Sequence, residues 1–357
     1  MANSGLGKRL NALRRAGALR GIGRLTVLSL TVAATLSAVG MSSAAQAASL
    51  TLYSAQHEQL VNLIAKDFEK ESGLSVKVRS GEGPALAAQL LAEGASSPAD
   101  VYFTENSPEL VLLEEKGLLG QVAAPTLAAV PARYSSPQGA WVGVVARENV
   151  LAYNVTKLQP AQLPASLLDL ATPAWKGRVG IAPSDADFLP LVSAVLALKG
   201  EAATLDWLKG LKKNAQLFDD DEGVVAAVNR GGVETGVINN YYWARLHLEL
   251  GDSATRSAIY HFANGDVGAL VNVSGAAVLK SSHNVDAAQR FLAYLVSERG
   301  QTLLAKSHVD FEYPLRPGVA PDPLLKPFDQ LHPPTLTVQQ LGDDSQAAKL
   351  LRQAGLL

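Results

Sequence analysis

Leu50-Thr51-Leu52-Tyr53-Ser54, the segment Gln59 to Glu71, and Leu74-Ser75-Val76-Lys77-Val78 follow one another as strand, helix and strand. The first run alternates as a strand does, and the second sets Leu60, Leu63, Ile64 and Phe68 at helical spacing. Gly73 supplies the stop, and the third run alternates again. Further on, Gly81-Glu82-Gly83-Pro84 opens an Ala/Leu-rich helix to Glu93, Asp100 to Phe103 reads as a strand, and Ser107 to Lys116 reads as a helix. Strand, helix, strand, helix, strand predicts parallel strands with crossover helices. Ligands of such sheets sit at the carboxyl ends of the strands, which places His57 and Glu105, each just past a strand, on one rim.

A second α/β unit follows. Two β-rich runs around Arg147, between Trp141 and Tyr153, are placed to cross from one lobe to the other. Val179 to Ala182 is strand-like, Phe188 to Leu198 and Glu201 to Lys212 are helical, and Glu234 to Asn239 is a strand. Asp266 to Val273 reads as extended, and Ala287 to Leu304 as one amphipathic helix with Phe291, Leu292, Leu295 and Val296 on a single face. Two lobes joined by crossing strands leave a cleft, the usual place for a small ligand.

The 357 residues suffice for two domains, each with its own core. The first 47 stand apart: Lys8, Arg9, Arg14, Arg15, Arg20 and Arg24 without an acidic residue, an apolar run from Leu25 to Val39, then Ala45-Gln46-Ala47. That is the grammar of a secretory signal peptide, with cleavage expected near Ala47 and a periplasmic destination. Removing those six from 31 basic residues leaves 25 against 33 acidic ones, a formal charge of −8, which argues against nucleic acid as a partner. Without cysteine, disulfides, thiolate catalysis and zinc-thiolate sites are excluded, so a metal must be held by oxygen and imidazole. Export also separates the chain from cytoplasmic ATP and nicotinamide pools, which favours ligand capture over kinase or dehydrogenase chemistry.

Asn239-Asn240-Tyr241-Tyr242-Trp243 follows the apolar run Val237-Ile238 and offers two phenol oxygens in one short segment. Phenolate is a hard anionic donor that suits Fe(III) better than softer zinc or copper(I). An isolated tyrosine pair also serves ordinary packing, so the pair needs partners elsewhere in the chain.

Those partners lie in segments that jointly resemble the periplasmic ferric-ion-binding proteins, the transferrin-like bilobal solute receptors of iron ABC transporters. Leu52-Tyr53-Ser54-Ala55-Gln56-His57 resembles the family's opening strand and histidine ligand, and Ala99-Asp100-Val101-Tyr102-Phe103-Thr104-Glu105 its carboxylate segment. Ile238 to Trp243 resembles its double-tyrosine segment, Trp141 through Arg147 to Asn154 its crossover, and Trp175-Lys176-Gly177-Arg178-Val179 part of its second lobe. The resemblance implies a type II two-lobed α/β binding protein, each lobe a mixed sheet flanked by helices. It implies an N-lobe of residues 48–147 plus 272–322 and a C-lobe of 148–271 plus 323–357, after the signal peptide 1–47. It carries over His57, Glu105, Tyr241 and Tyr242 as ligands of Fe(III), with an inner-membrane ABC permease as partner, iron arriving free or as a chelate, and a monomeric receptor.

Members of that family commonly complete the iron shell with a synergistic anion (carbonate, phosphate or citrate) or with water. Ser184, Asn239 and Arg147 are the candidate contacts here. The sequence departs from the pattern at Asp185, where a neutral hydroxyl is expected, and at the acidic run Asp219-Asp220-Asp221-Glu222, which would repel an anion unless it faces away. That run lacks the spacing of a calcium loop and reads as a solvated face. His247, His261, His283, His308 and His332 show no ligand spacing and read as structural or exposed.

No nucleophile elbow or Walker loop is present, and His57-Glu58 is not followed by a second histidine at zincin spacing. No catalysis is therefore expected. The alternatives are a receptor of the same fold for a polyamine or an oxyanion, or a metal-dependent hydrolase using His57, Glu105 and one tyrosine.

Overall fold

In a computed structural model, residues 49–262 and 265–357 are described; the expected signal peptide, 1–47, lies outside them. Strand β1 (Ser49–Ala55) leads to helix α1 (Glu58–Ser72), β2 (Ser75–Ser80), α2 (Gly83–Glu93), β3 (Val101–Thr104) and α3 (Ser107–Glu115). β1 pairs in parallel with both β2 and β3, so α1 and α2 are the crossovers. α1 buries Leu60, Val61, Ile64, Ala65 and Phe68, the stripe that its spacing predicts. It stops at Gly73, whose φ of 72° is the left-handed cap that a residue without Cβ adopts without strain.

After a short helix α4 (Ala124–Leu127), the thirteen-residue strand β4 (Val142–Asn154) carries the chain from one half to the other. Then come β5 (Val179–Ile181), α5 (Phe188–Lys199), α6 (Glu201–Asn214), β6 (Ala215–Leu217), α7 (Asp221–Arg230), β7 (Thr235–Asn239), α8 (Asn240–Leu250) and β8 (Ser257–Tyr260). The remaining elements are β9 (Val271–Val278), α9 (Val285–Leu295), α10 (Glu298–Lys306), β10 (Tyr313–Pro314), α11 (Val338–Leu341) and α12 (Ser345–Ala354).

β4 is shared between two sets of partners. Its Val142–Glu148 part pairs antiparallel with β9, and its Asn149–Asn154 part with β7 and β8. The runs on either side of Arg147 are thus one strand. The sheet runs β2-β1-β3-β9-β4-β7-β5-β6 and is mixed, because β9 enters antiparallel to β3.

Apolar side chains form two large clusters, one drawn from residues 50–146 and 271–338, the other from 151–270 and 341–356. A smaller third cluster packs α7 against the far part of β4. Leu325, Leu331 and Val338 lie in the first cluster and Leu341 in the second. Tyr241 and Ala244 also pack in the first cluster, although α8 follows a strand of the second half.

Two local expectations are corrected. The helix expected from Ala287 to Leu304 is two helices, broken where the Ser297 hydroxyl accepts a hydrogen bond from Gly300 N at 3.0 Å and caps α10. A Cβ at Gly300 would meet Tyr294 O at 2.2 Å, so the close approach at this break requires glycine. The extended run expected from Asp266 begins instead as a 3-10 turn, Val267–Ala269, because Asp266 accepts from Gly268 N, and β9 starts at Val271. No helix among the described residues is long and apolar enough to cross a membrane.

Candidate metal centre

All four expected ligands stand where a strand gives way to a helix. His57 is the N-cap of α1 just beyond β1, Glu105 joins β3 to α3, and Tyr241 and Tyr242 occupy the first turn of α8 just beyond β7. Asn240 fixes the start of α8 across the halves: its Oδ1 accepts from Glu148 N at 2.8 Å and its Nδ2 donates to Phe311 O at 3.1 Å.

The fold brings the four together. His57 Nε2 lies 3.1 Å from Glu105 Oε1, the His57 and Tyr241 rings meet edge to face with centroids 5.3 Å apart, and the two tyrosine rings lie 4.2 Å apart. Among the described residues no three His, Cys, Asp or Glu side chains are grouped as a metal site.

Around this cluster lies a buried charged network that the sequence reading missed. Tyr241 donates its hydroxyl to Asp187 Oδ2 at 2.7 Å, and Arg147 Nε donates to Asp187 Oδ1 at 3.2 Å. The other guanidinium nitrogens reach Ser274 Oγ at 3.0 Å, Glu312 Oε1 at 3.3 Å and Asn106 Oδ1 at 2.6 Å. Gln56 Nε2 binds the same Ser274 and Glu312. Arg147 is 0 % exposed and acts as an internal counter-charge, not as a cation presented to a free anion. On the far side of His57, Nδ1 lies 3.1 Å from Asp310 Oδ1, close enough for an ion pair but too poorly aligned for a good hydrogen bond.

The other expected anion contacts are also engaged. Ser184 Oγ is exposed and donates to Asp219 O at 3.3 Å. Asn239 donates its backbone N–H to Asp221 Oδ2 at 3.3 Å, while its buried Oδ1 has no partner. Asp185 accepts from the backbone N–H of Asp187 and of Asp221. The acidic run is not one solvated face: Asp220 caps α7 through Gly223 N, and Asp221 is buried beside the tyrosine-bearing turn. His247, His261 and His308 pair with Asp252, Glu148 and Asp322 respectively.

The electrostatics follow from burial and neighbours. Burial opposes charge on His57, yet Asp310 and Glu105 outweigh it and raise the imidazole to about 9. Burial lifts Glu105 to about 8 despite the opposing pull of His57. Burial, and then the charge of Asp187, raises both phenols above the ordinary tyrosine value. Asp187 is held below the usual carboxylate range, because the Arg147 charge and the Tyr241 hydrogen bond overcome its burial. Without a metal the cluster therefore holds protons on its donors, next to one carboxylate kept ionised.

Sequence and fold comparisons bear on this centre. A family model for bacterial extracellular solute-binding proteins matches residues 50–309. The chain is 40 % identical to the Fe(3+)-binding periplasmic protein of Serratia marcescens, over 94 % of this chain and 99 % of that one. Its fold is similar to iron-bound HitA from Pseudomonas aeruginosa, with a TM-score of 0.82 and 44 % identity over 86 % of this chain and 99 % of that one. It is also similar to Trichodesmium IdiA (FutA) in complex with iron and citrate, with a TM-score of 0.77 and 31 % identity over the same shares. The architecture is that of a two-lobed periplasmic binding protein, with a mixed sheet flanked by helices. The chain belongs to the bacterial extracellular solute-binding protein family, with ferric-ion-binding periplasmic proteins among its relatives.

Proposed function

We propose that this protein captures Fe(III) between its two halves through His57, Glu105, Tyr241 and Tyr242 and delivers it to an ABC permease. It is a solute-binding protein, not an enzyme. The observation that carries the reading is the convergence of one imidazole, one carboxylate and two phenols from three separate strand ends on one spot. Two phenolates and a carboxylate balance the charge of Fe(III), and the imidazole adds a donor without adding charge. Relatives whose names or bound ligands specify ferric iron support the choice of ion.

Delivery follows from how the donors are divided. His57 and Glu105 extend from strands β1 and β3, the tyrosines from β7, and β4 and β9 are the connections about which the two clusters can part. Cargo that touches both halves favours the closed form, and a permease can read that difference. As the ion enters, it displaces the protons on the donors. Asp187, hydrogen-bonded to Tyr241 and kept ionised by Arg147, orients the phenol while its proton leaves to solvent.

A separate carbonate, phosphate or citrate would face Asp187, held ionised by Arg147, on the tyrosine side, so in this reading water, or oxygens that arrive with the iron, complete the shell. Export to the periplasm through the 1–47 signal, action as a monomer and lobes that follow the two apolar clusters complete the proposal. The test is a visible titration with ferric citrate. A tyrosinate-to-iron charge-transfer band that saturates near one equivalent and is lost in Tyr241→Phe/Tyr242→Phe is expected. A wild-type protein that develops no band would overturn the Fe(III) reading in favour of the polyamine or oxyanion receptor.

A further inference from the structure

Next to His57 and Glu105 lie two adjoining hollows that share Glu109 and Ala186. One, of about 380 Å³, is polar and is walled by Ser54, Ser80 and Thr104 together with Glu58, Glu82 and Glu105. The other, of about 230 Å³, is apolar, with Pro84, Ala88 and Leu91 of α2, Leu112 of α3, Leu189 of α5 and Ala348 of α12 on its walls. The polar hollow alone falls within the ~300–1,000 Å³ typical of small-ligand sites. Neither hollow is lined by Lys or Arg.

Glu109 stands at the boundary. It is 9 % exposed, and its Oε1 lies so close to α2 that a Cβ at position 83 would come within 2.5 Å of it, which makes Gly83 a cradle for the carboxyl. Its Oε2 has no hydrogen-bond partner. Buried polar atoms rarely stay unpaired, and one at the seam of two cavities marks a place where a ligand atom belongs. Burial, with the charge of Asp344 adding to it, raises this carboxyl to about 8, so near neutrality it offers a proton to an acceptor.

We propose that the double hollow admits the organic part of a ferric chelate whose chelator is small, free of carboxylates, neutral when free and singly charged once it has given up its proton to bind the iron. Its metal-binding oxygens sit in the polar chamber beside His57 and Glu105, one of its acceptors meets Glu109, and its apolar body fills the chamber walled by Ala88 and Ala348. This rests on the Fe(III) reading above and adds the chemical class of the iron source. A hydroxamic acid has this form: two hard oxygen donors that release one proton to solvent on binding iron, no carboxylate and a variable apolar body. A polycarboxylate such as citrate would instead bring several carboxylates against Glu58 and Glu82, with no Lys or Arg on the walls to offset them.

The probe is ferric benzohydroxamate. Equilibrium dialysis of the purified protein, with the chelator quantified by ultraviolet absorption after acid release, is expected to retain iron and hydroxamate together, whereas ferric citrate leaves iron without citrate. Ala88→Trp and, from the opposite wall, Ala348→Trp are expected to cut hydroxamate retention roughly tenfold by overfilling the chamber. Both variants should still develop the visible band when iron comes from ferric nitrilotriacetate. Iron taken up from every source with no hydroxamate retained, or retention untouched by both tryptophans, overturns the chelate proposal and leaves the Fe(III) reading standing. No iron uptake from any source overturns both.

Discussion

Tyr241 Oη lies 2.7 Å from Asp187 Oδ2, so the phenol nearest His57 is joined to a carboxylate that Arg147 keeps ionised from the other side. A candidate ligand is thereby held by groups that need not touch the ion themselves. Outer partners of this kind commonly set metal affinity by 10–100-fold.

Asp187→Asn keeps the size of the side chain but removes its charge and basicity. Iron affinity is expected to fall about 10–100-fold, with the charge-transfer band shifted rather than abolished, since both phenols remain. Competition titration against a chelator of known affinity measures it. An unchanged affinity would show that Asp187 serves the fold alone.

Arg147→Met leaves Asp187 and Glu312 buried without their common partner. Breaking a buried ion pair from one side costs about 3–5 kcal/mol, so denaturant unfolding of the metal-free variant should show a loss of that order. A loss below about 1 kcal/mol, the level of exposed pairs, would contradict the role given to this residue.

Proton linkage gives two expectations of opposite sign. His57 is raised to about 9, Glu105 and Glu109 to about 8, and Glu312 and Asp344 to about 7. Folding-state values above the unfolded ones mean that the native metal-free chain binds extra protons. Stability from these groups is full below about pH 4 for the carboxyls and is lost as pH rises toward 9. The metal-free Tm should therefore be lower at pH 8.5 than at pH 5.5. Iron competes with the same protons on His57 and Glu105, so iron affinity should move the other way and weaken steadily from pH 9 to pH 5. An affinity that is flat across that range would mean that neither residue is a ligand.

Ser297→Ala removes the cap that starts α10. The expected loss is about 1 kcal/mol in chemical denaturation, with iron binding unaffected because the break between α9 and α10 lies away from the tyrosine turn.

Much of this was legible in the chain because it is local. The alternation around β1, α1 and β2 needs only spacing, Gly73 announces its own cap, and His57 and Glu105 declare themselves by following strands. The tyrosine pair is conspicuous by adjacency. The network behind it was not legible, because its members meet only after folding: Arg147 reaches Asp187 across 40 positions and Glu312 across 165. Asp187 stands directly before the apolar helix α5 and reads as an ordinary helix-start residue, while the burial of Asp221 is hidden inside an acidic run. The break at Ser297 was masked because apolar spacing continues across it, and a single hydroxyl cap carries no periodic signal.

The central claim is that His57, Glu105, Tyr241 and Tyr242 hold one Fe(III). Crystals of the iron-loaded protein, with anomalous diffraction collected on both sides of the iron edge, test it most directly. A single strong peak is expected within coordination distance of His57 Nε2, a Glu105 carboxylate oxygen and both phenol oxygens. A peak elsewhere, or one in contact with neither tyrosine, would contradict it.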